Sequence, residues 1–287
     1  MSGEHTLYLV ATPIGHLDDI GVRAISTLQS VTRIYVEDTR HSAGLLRHHG
    51  IRTPMAALHE HNERERAVEI AASIREQGDA ALISDAGTPA ISDPGYRLVQ
   101  ACIEAGVAVS PVPGASAVLA ALVVSGLPTD RFEFAGFVPA RATARAQWYA
   151  GLADRAHTVV VYESPHRIVD SLADLLEAIG ADRRIAVARE LTKRFETVLR
   201  GTVDQVLARV SDDRDQRRGE FAIVIGGRAS EALMPGGDAG RALSVDTLIA
   251  SLSPHLPPRT VARIVADLVG RPKREVYARA MVLAQRG

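Results

Sequence analysis

The sequence predicts an α/β protein with two sheet-bearing halves, a cleft between them, and a small helical module behind. Three observations carry this. Short apolar runs alternate with helical patterns through the first half. In the second half the strands follow one another more directly, which points to a mixed sheet. A Pro/Gly cluster then precedes two short amphipathic segments.

Leu7–Val10 reads as the first strand, because four apolar residues run into a Pro-Gly loop. Arg33–Val36, Ala80–Ser84 and Ala108–Pro111 follow as strands. Helices are expected near Val22–Leu28, Ala43–His49, Glu63–Gln77 and Tyr96–Ala105. The third is charged on one face and offers Val68, Ile70, Ala71 and Ile74 for burial. Pro111-Val112-Pro113-Gly114 breaks the alternation, and a helical run from Ser116 to Ser125 leads to Gly126-Leu127-Pro128. The first domain is therefore placed at 1–114 and the second at 115–230. Strands of the second are expected at Phe132–Phe134, Thr158–Tyr162, Ile185–Ala188, Thr197–Gly201 and Phe221–Ile225. Its helices fall near Ala144–Ala153, Ile168–Ile179 and Val203–Val210.

A linker at 231–244 contains Met234-Pro235-Gly236-Gly237, and the module occupies 245–287. There Val261, Ile264, Val265, Leu268 and Val269 repeat at helical spacing, Gly270 stops the helix and Pro272 opens the next. Val276, Tyr277, Ala280 and Leu283 form a second apolar face. Two such helices read either as a helix-turn-helix or as a hairpin capping the body.

Composition narrows the function. In 287 residues, 46% are apolar and 23% charged, enough apolar surface to offset the entropy of ordering. The 33 basic and 34 acidic residues nearly cancel, which disfavours a coating protein for bare nucleic acid. A single cysteine, Cys102, excludes an internal disulfide and a cysteine-rich zinc site. The absence of a signal-peptide pattern points to the cytoplasm, and the apolar run Ala117–Val124 is too short to span a bilayer. Charge is uneven: from Ser251 onward seven Lys and Arg, among them Arg263, Lys273 and Arg274, face two acidic residues. A local anionic partner and simple solubility both account for that.

Polar motifs cluster at strand ends, where α/β scaffolds carry function. Thr12-Pro13-Ile14-Gly15 lets backbone approach a ligand but lacks the dinucleotide fingerprint. Ser84-Asp85-Ala86-Gly87-Thr88-Pro89 and Ile91-Ser92-Asp93-Pro94-Gly95 follow a buried strand. Asp85 is read as a ligand acceptor and Asp93 as a helix cap. Ser116, opening a run of small residues, suits either an N-cap or a ligand donor. His59 and His61 have strand-like spacing, but no third metal ligand stands at a characteristic distance, so no metal is expected. Glu37-Asp38-Thr39-Arg40-His41, Tyr162-Glu163-Ser164-Pro165-His166-Arg167 and Arg189-Glu190-Leu191-Thr192-Lys193-Arg194 complete the set.

Taken together the segments resemble one family, the ribosomal RNA small subunit methyltransferase I group of the tetrapyrrole methylase superfamily. The resemblance rests on LYLVATPIG at 7–15, EDTRHS at 37–42, LHEHN at 58–62, SDAGTPAISDPG at 84–95, PGAS at 113–116, LPTDRFEFAGFVP at 127–138, YESPHR at 162–167 and RELTKRFET at 189–197. It covers Leu7 to about Gly227 and resumes in the tail. Two features stand apart: His16 occupies a position that often carries Asn in this family, and Ser84-Asp85-Ala86-Gly87 stands where the tetrapyrrole branch usually has Gly-Asp-Pro. The latter favours an RNA substrate.

The resemblance implies two tetrapyrrole-methylase-type α/β domains, a homodimer, and S-adenosylmethionine in the cleft. It further implies methylation of the ribose 2′-hydroxyl of a cytidine in the decoding region of 16S rRNA, within the small ribosomal subunit and away from any membrane. Carried over by motif, the cofactor would meet Pro13, Asp85, Gly87, Thr88, Pro89, Ser116 and Ala117, with Tyr162, Glu163, Leu191 and Ala222 from the second domain. Asp38, His59 or Glu190 would accept the proton, with Lys193 or Arg40 on phosphate or developing charge. Arg40, Arg167, Arg263, Lys273 and Arg274 are the RNA-binding candidates. A tetrapyrrole methyltransferase and a non-enzymatic nucleic-acid-binding regulator are the alternatives.

Overall fold

The computed structural model describes residues 5–228, 245–253, 255–269 and 272–284. The chain divides into two compact units, 1–228 and 229–287.

The larger unit opens with five strands: β1 (Thr6–Val10), β2 (Arg33–Val36), β3 (Met55–Ala57), β4 (Ala80–Ile83) and β5 (Ala108–Val112). They form a sheet in the order β3-β2-β4-β1-β5 with every pair parallel. Parallel neighbours need crossovers, here the helices α1 (Val22–Ser30), α2 (Thr39–His48), α3 (Glu60–Gln77) and α4 (Tyr96–Glu104). Alternation along each strand serves both faces. Ile34, Val36, Ala81 and Ile83 pack on Leu28 of α1 and Leu46 of α2. Leu7, Tyr35, Ala80 and Leu82 pack on Ile70 and Ile74 of α3 and Leu98 of α4. Adjacent strands β1 and β4 therefore send their connections to opposite faces. That switch leaves a crevice at their carboxyl ends, where the 11–16 and 84–95 loops emerge.

The second sheet contains β6 (Phe132–Phe137), β7 (Thr158–Glu163), β8 (Arg184–Arg189), β9 (Thr197–Thr202) and β10 (Phe221–Ile225). Its order is β6-β7-β10-β8-β9, parallel only between β6 and β7, so the expected mixed sheet is present. One face packs Val159, Val161, Val187 and Ile223 against α6 (Ala142–Ala150), α7 (Ile168–Ile179) and α8 (Val203–Asp212). Truncating one of the fully buried contacts there, such as Leu172, would cost about 2–5 kcal/mol. The other face packs Val160, Ala186, Ala188, Ala222 and Val224 against α5 (Ala117–Ser125) and against Ile14 and Leu191. Thus α5 leaves the first sheet but packs on the second, and its uniformly apolar sequence is that of a buried helix.

Several sequence expectations shift. The helix expected at 43–49 begins at Thr39, capped by Asp38, and the one expected at 63–77 begins at Glu60, capped by His59. His59 and His61 are therefore at a helix start, not on a strand. Val68, offered for burial, is exposed, because Ala67, Ile70, Ala71 and Ile74 already fill the buried stripe.

In the C-terminal unit, α9 (Val245–Leu252) joins α10 (Pro258–Val269) and α11 (Lys273–Ala284). The sequence reading lacked α9, so the described residues of the module hold three helices rather than two. Ile249, Val261, Ala262, Val265, Ala266, Val276 and Ala280 form its core, whereas Leu268 is exposed. The 231–244 linker, Gly270 and the side chain of Leu283 lie outside the described residues. Among the described residues no helix is long and apolar enough to cross a membrane.

Candidate active site

The carboxyl edge of the first sheet and the α5 face of the second enclose a cleft of about 450 Å³. The 84–95 loop is its most constrained wall. Thr12 and Gly87 bridge backbone to backbone in both directions, and the Thr88 hydroxyl donates to the Ala115 carbonyl (3.2 Å). Ala90 (φ 66°) and Ser92 (φ 63°) lie in the left-handed region, as do Glu190 (φ 51°) and Thr192 (φ 63°) in the loop after β8. Each costs on the order of 1 kcal/mol or more, and among the described residues every such non-glycine position is in one of these two loops. Gly15 joins the loops across the cleft: a Cβ there would come within 2.5 Å of Lys193 and 2.9 Å of the Leu191 carbonyl.

Asp93 does not cap α4. Gly95 (φ 136°) holds that position, and a Cβ on it would lie 2.6 Å from Leu82. The cap comes from α3 instead: the buried Glu63 carboxylate accepts from the backbone N–H groups of Gly95 (3.0 Å), Arg97 (2.8 Å) and Leu98 (3.2 Å). Asp93 is thereby free to line the cleft beside Asp85. Burial and the charge of Glu37 push the Asp93 carboxyl up to about 6, with the Ser84 hydroxyl pulling the other way and Asp85 pushing up. Glu37 is itself raised by burial and by Asp85 and Glu60, with His59 opposing. Across the cleft, burial and the Asp93 charge raise the Tyr162 phenol to about 12.

The second sheet supplies the floor. Strand register sets Tyr162, Ala222 and Ala188 side by side on β7, β10 and β8. Glu163, one residue on from Tyr162, is buried at the strand end. Its Oε1 accepts from the Ser164 N–H (2.6 Å) and from Arg167 Nη2 (2.8 Å), while Oε2 has no protein partner. A bulge between Phe134 and Phe137 turns the Phe137 ring onto Tyr162, with ring centroids 5.3 Å apart.

Of the cofactor candidates, Asp85, Gly87, Thr88, Ser116, Ala117, Tyr162, Glu163, Leu191 and Ala222 line this cleft. Ser116 also caps α5, accepting from Leu119 N. Pro13 and Pro89 are buried and do not line it; they shape the two loops from beneath. Ile14, Ile91 and Phe137 also line the cleft; they lie in the quoted motifs but were not singled out as contacts, Glu220 and Phe221 lie in no motif, and Asp93 was assigned elsewhere.

The catalytic candidates sit around the rim. Asp38 accepts from Arg40 N (2.8 Å) and donates its own N–H to Asp85 (3.3 Å); the Arg40 N–H and guanidinium hold its carboxyl low. His59 Nε2 meets Asn62 (3.2 Å), and its Nδ1 is buried without a partner. Lys193 bridges Glu190 (3.0 Å) and Glu220 (2.9 Å). Burial would raise Glu190, but the Glu220 N–H and Lys193 outweigh it and hold the carboxyl down; burial would lower Lys193, but the two carboxylates hold it up. Arg40 is exposed, as are Arg263, Lys273 and Arg274 on the other unit, whereas Arg167 is committed to Glu163.

The chain is thus a two-sheet α/β protein with a cleft, acidic and apolar at once, at the switch point of its first sheet. Residues 6–207 match the family of Tetrapyrrole (Corrin/Porphyrin) Methylases, and residues 239–284 match the RsmI C-terminal HTH domain. The chain is 47% identical to Ribosomal RNA small subunit methyltransferase I of Xylella fastidiosa (strain Temecula1) over 277 residues, 96% of this chain and 99% of that one. To the protein of the same name from Pseudomonas aeruginosa it is 43% identical, over 96% of each chain. This chain is a methyltransferase belonging to the ribosomal RNA small subunit methyltransferase I family, within the tetrapyrrole methylases. Its fold is similar to a cobalt precorrin-4 methyltransferase (TM-score 0.58, 20% identity, 79% of this chain and 96% of that one). It is also similar to uroporphyrin-III-C-methyltransferase from Thermus thermophilus (TM-score 0.56, 19% identity, 77% and 94%).

Proposed function

We propose that the chain methylates the ribose 2′-hydroxyl of a cytidine in 16S rRNA of the small ribosomal subunit, using S-adenosylmethionine. The relatives' shared name supports the rRNA substrate. The observation that carries the donor is the floor of Ala188 and Ala222 beside Tyr162, in one row on the sheet face that lines the cleft. A flat ring fits that floor. S-adenosylmethionine bound there supplies a methyl group on an already activated sulfonium.

The chain's own residues then bind and orient. Asp85, Thr88 and Ser116 face the donor from the first half, and Tyr162, Glu163, Leu191 and Ala222 from the second. Arg167 orients Glu163, which makes it a positioning residue rather than an RNA ligand. Proton removal falls to Asp93, the cleft carboxyl whose affinity for a proton lies near neutral pH. Asp38 and Glu190 are held in their charged forms by their partners and are poor acceptors. His59 acts through Glu37, and Lys193 ties Glu190 and Glu220 at the rim. Arg40, Arg263, Lys273 and Arg274 supply phosphate contacts. A homodimer in the cytoplasm follows from the family resemblance, and sedimentation velocity tests the dimer.

The decisive experiment incubates the protein and methyl-labelled S-adenosylmethionine with small subunits lacking the modification, then identifies labelled nucleosides by mass spectrometry. Labelled 2′-O-methylcytidine is expected. Donor binding without transfer to subunits or free rRNA would turn the reading to a small-molecule acceptor.

A further inference from the structure

We propose that a second cavity, separate from the donor cleft and meeting it at Asp85, is the subsite for the acceptor nucleotide; this rests on the RNA reading above. The cavity encloses about 480 Å³ between α2, the 3-10 turn at Leu17–Asp19 and the end of β4. That volume is in the range of small-molecule sites. Asp85 is the one lining residue the two cavities have in common among the described residues. Asp85 therefore borders both spaces, and we place the acceptor beside the donor there, as a transfer between two bound partners requires.

The two spaces differ in chemistry. The donor cleft is lined by the acidic residues Asp85, Asp93 and Glu220 amid apolar walls. The second cavity presents Arg47, His41 and His48, with Asp85 as its one carboxylate among the described residues. Asp18 lies outside that lining, 3.5 Å from His48. Ser42, on the cavity wall, is 2% exposed, and its hydroxyl has no hydrogen-bond partner. A buried hydroxyl without a partner is costly, and a ligand polar atom would satisfy it. Ser84, the other hydroxyl on the wall, already donates to the carbonyls of Ala86 and Gly87 (3.3 Å each). Basic groups and a hydrogen-bonding hydroxyl on the wall fit a nucleotide: phosphate on Arg47 and the imidazoles, base or ribose on Ser42.

Gly44 allows a direct test. It lines the cavity on α2, and a Cβ added to it meets nothing within 4 Å. Gly44→Leu should therefore fill the cavity without strain. The KM for small subunits lacking the modification should rise at least tenfold, while the Kd for S-adenosylmethionine, read by calorimetry, stays within twofold. Arg47→Ala should raise the same KM several-fold and lower the salt slope of subunit binding by about one. It is exposed, so it carries the test if Gly44→Leu melts early. Unchanged KM in both variants would overturn the proposal. A parallel loss of donor affinity would assign the cavity to the donor and overturn it equally. Wild-type protein that methylates no subunit would remove the RNA reading and this proposal together, whereas active wild type with indifferent variants removes the proposal alone.

Discussion

The two walls of the donor cleft are built by different means. The first wall is loops, leaving the ends of parallel strands whose faces are both covered by helices. The second is largely the face of a mixed sheet, with Tyr162, Ala222 and Ala188 in one row. Loops can hold strained backbone and half-buried carboxylates, and the 84–95 loop holds both at Ala90, Ser92 and Asp93. A sheet face cannot bend to a ligand, but it offers a flat surface whose depth is set by side-chain size. The loop wall thus holds the titratable groups and the sheet wall sets the shape.

Asp93→Asn is the sharpest way to break this comparison. It should lower kcat by roughly 10²–10⁴ with the Kd for S-adenosylmethionine little changed. In the wild type, kcat/KM should fall with decreasing pH through about 6, as Asp93 takes up a proton and ceases to be an acceptor. Single-turnover methyl transfer across pH reads both, and near-normal rates in the variant would deny the loop wall its chemistry.

Next in size is the support beneath that wall. Glu63→Ala removes the acceptor for three N–H groups and should cost about 2–3 kcal/mol in urea unfolding. Hydrogen exchange should quicken over 84–98 and not over β7 and β10; uniform loss of protection would show that the walls are not independent. Ala222→Leu tests the sheet wall. Crowding the floor should weaken donor binding roughly 10–100-fold, the equivalent of about 1–3 kcal/mol. Rates at saturating donor should move much less, and a matching fall in kcat would blur the distinction between walls.

The smallest effect is on stability. Because the folded-state Asp93 carboxyl has a raised pKa, the native state binds its proton more tightly than the unfolded chain. That stabilisation is complete below the unfolded value near 4 and is lost as pH rises through about 6. Asp93→Asn should therefore stabilise the protein by about 1–2 kcal/mol at pH 8 and hardly at all at pH 4. Paired urea titrations at the two pH values check the sign.

How far the sequence was legible depended on whether a feature was local. Strands β2 and β10 and helix α7 were bounded correctly because apolar periodicity is a nearest-neighbour signal. β3, three half-buried residues at a sheet edge, offered too short a run to be set out as a strand. Asp93 followed by proline looked like a cap, yet the cap comes from Glu63, about thirty positions earlier in the chain. No local rule sees that bond. Phe137 and Glu220 escaped notice for the same reason: a bulge and a strand start aim them into the cleft.

By itself the sequence determined the α/β class, the mixed second sheet, the strand-end loops that carry polar groups, and the family. Each follows from spacing, composition or motif along the chain. Only the tertiary structure decided which carboxylate is free and which is spent. Asp38 is held by Arg40, Glu190 by Lys193, Glu63 by α4 and Glu163 by Arg167, leaving Asp93 in the cleft wall. Charge state and availability depend on burial and on partners that range from two residues away, as for Asp38 and Arg40, to about thirty, as for Glu63 and α4, and strand register and helix packing set the distant ones only when the chain folds.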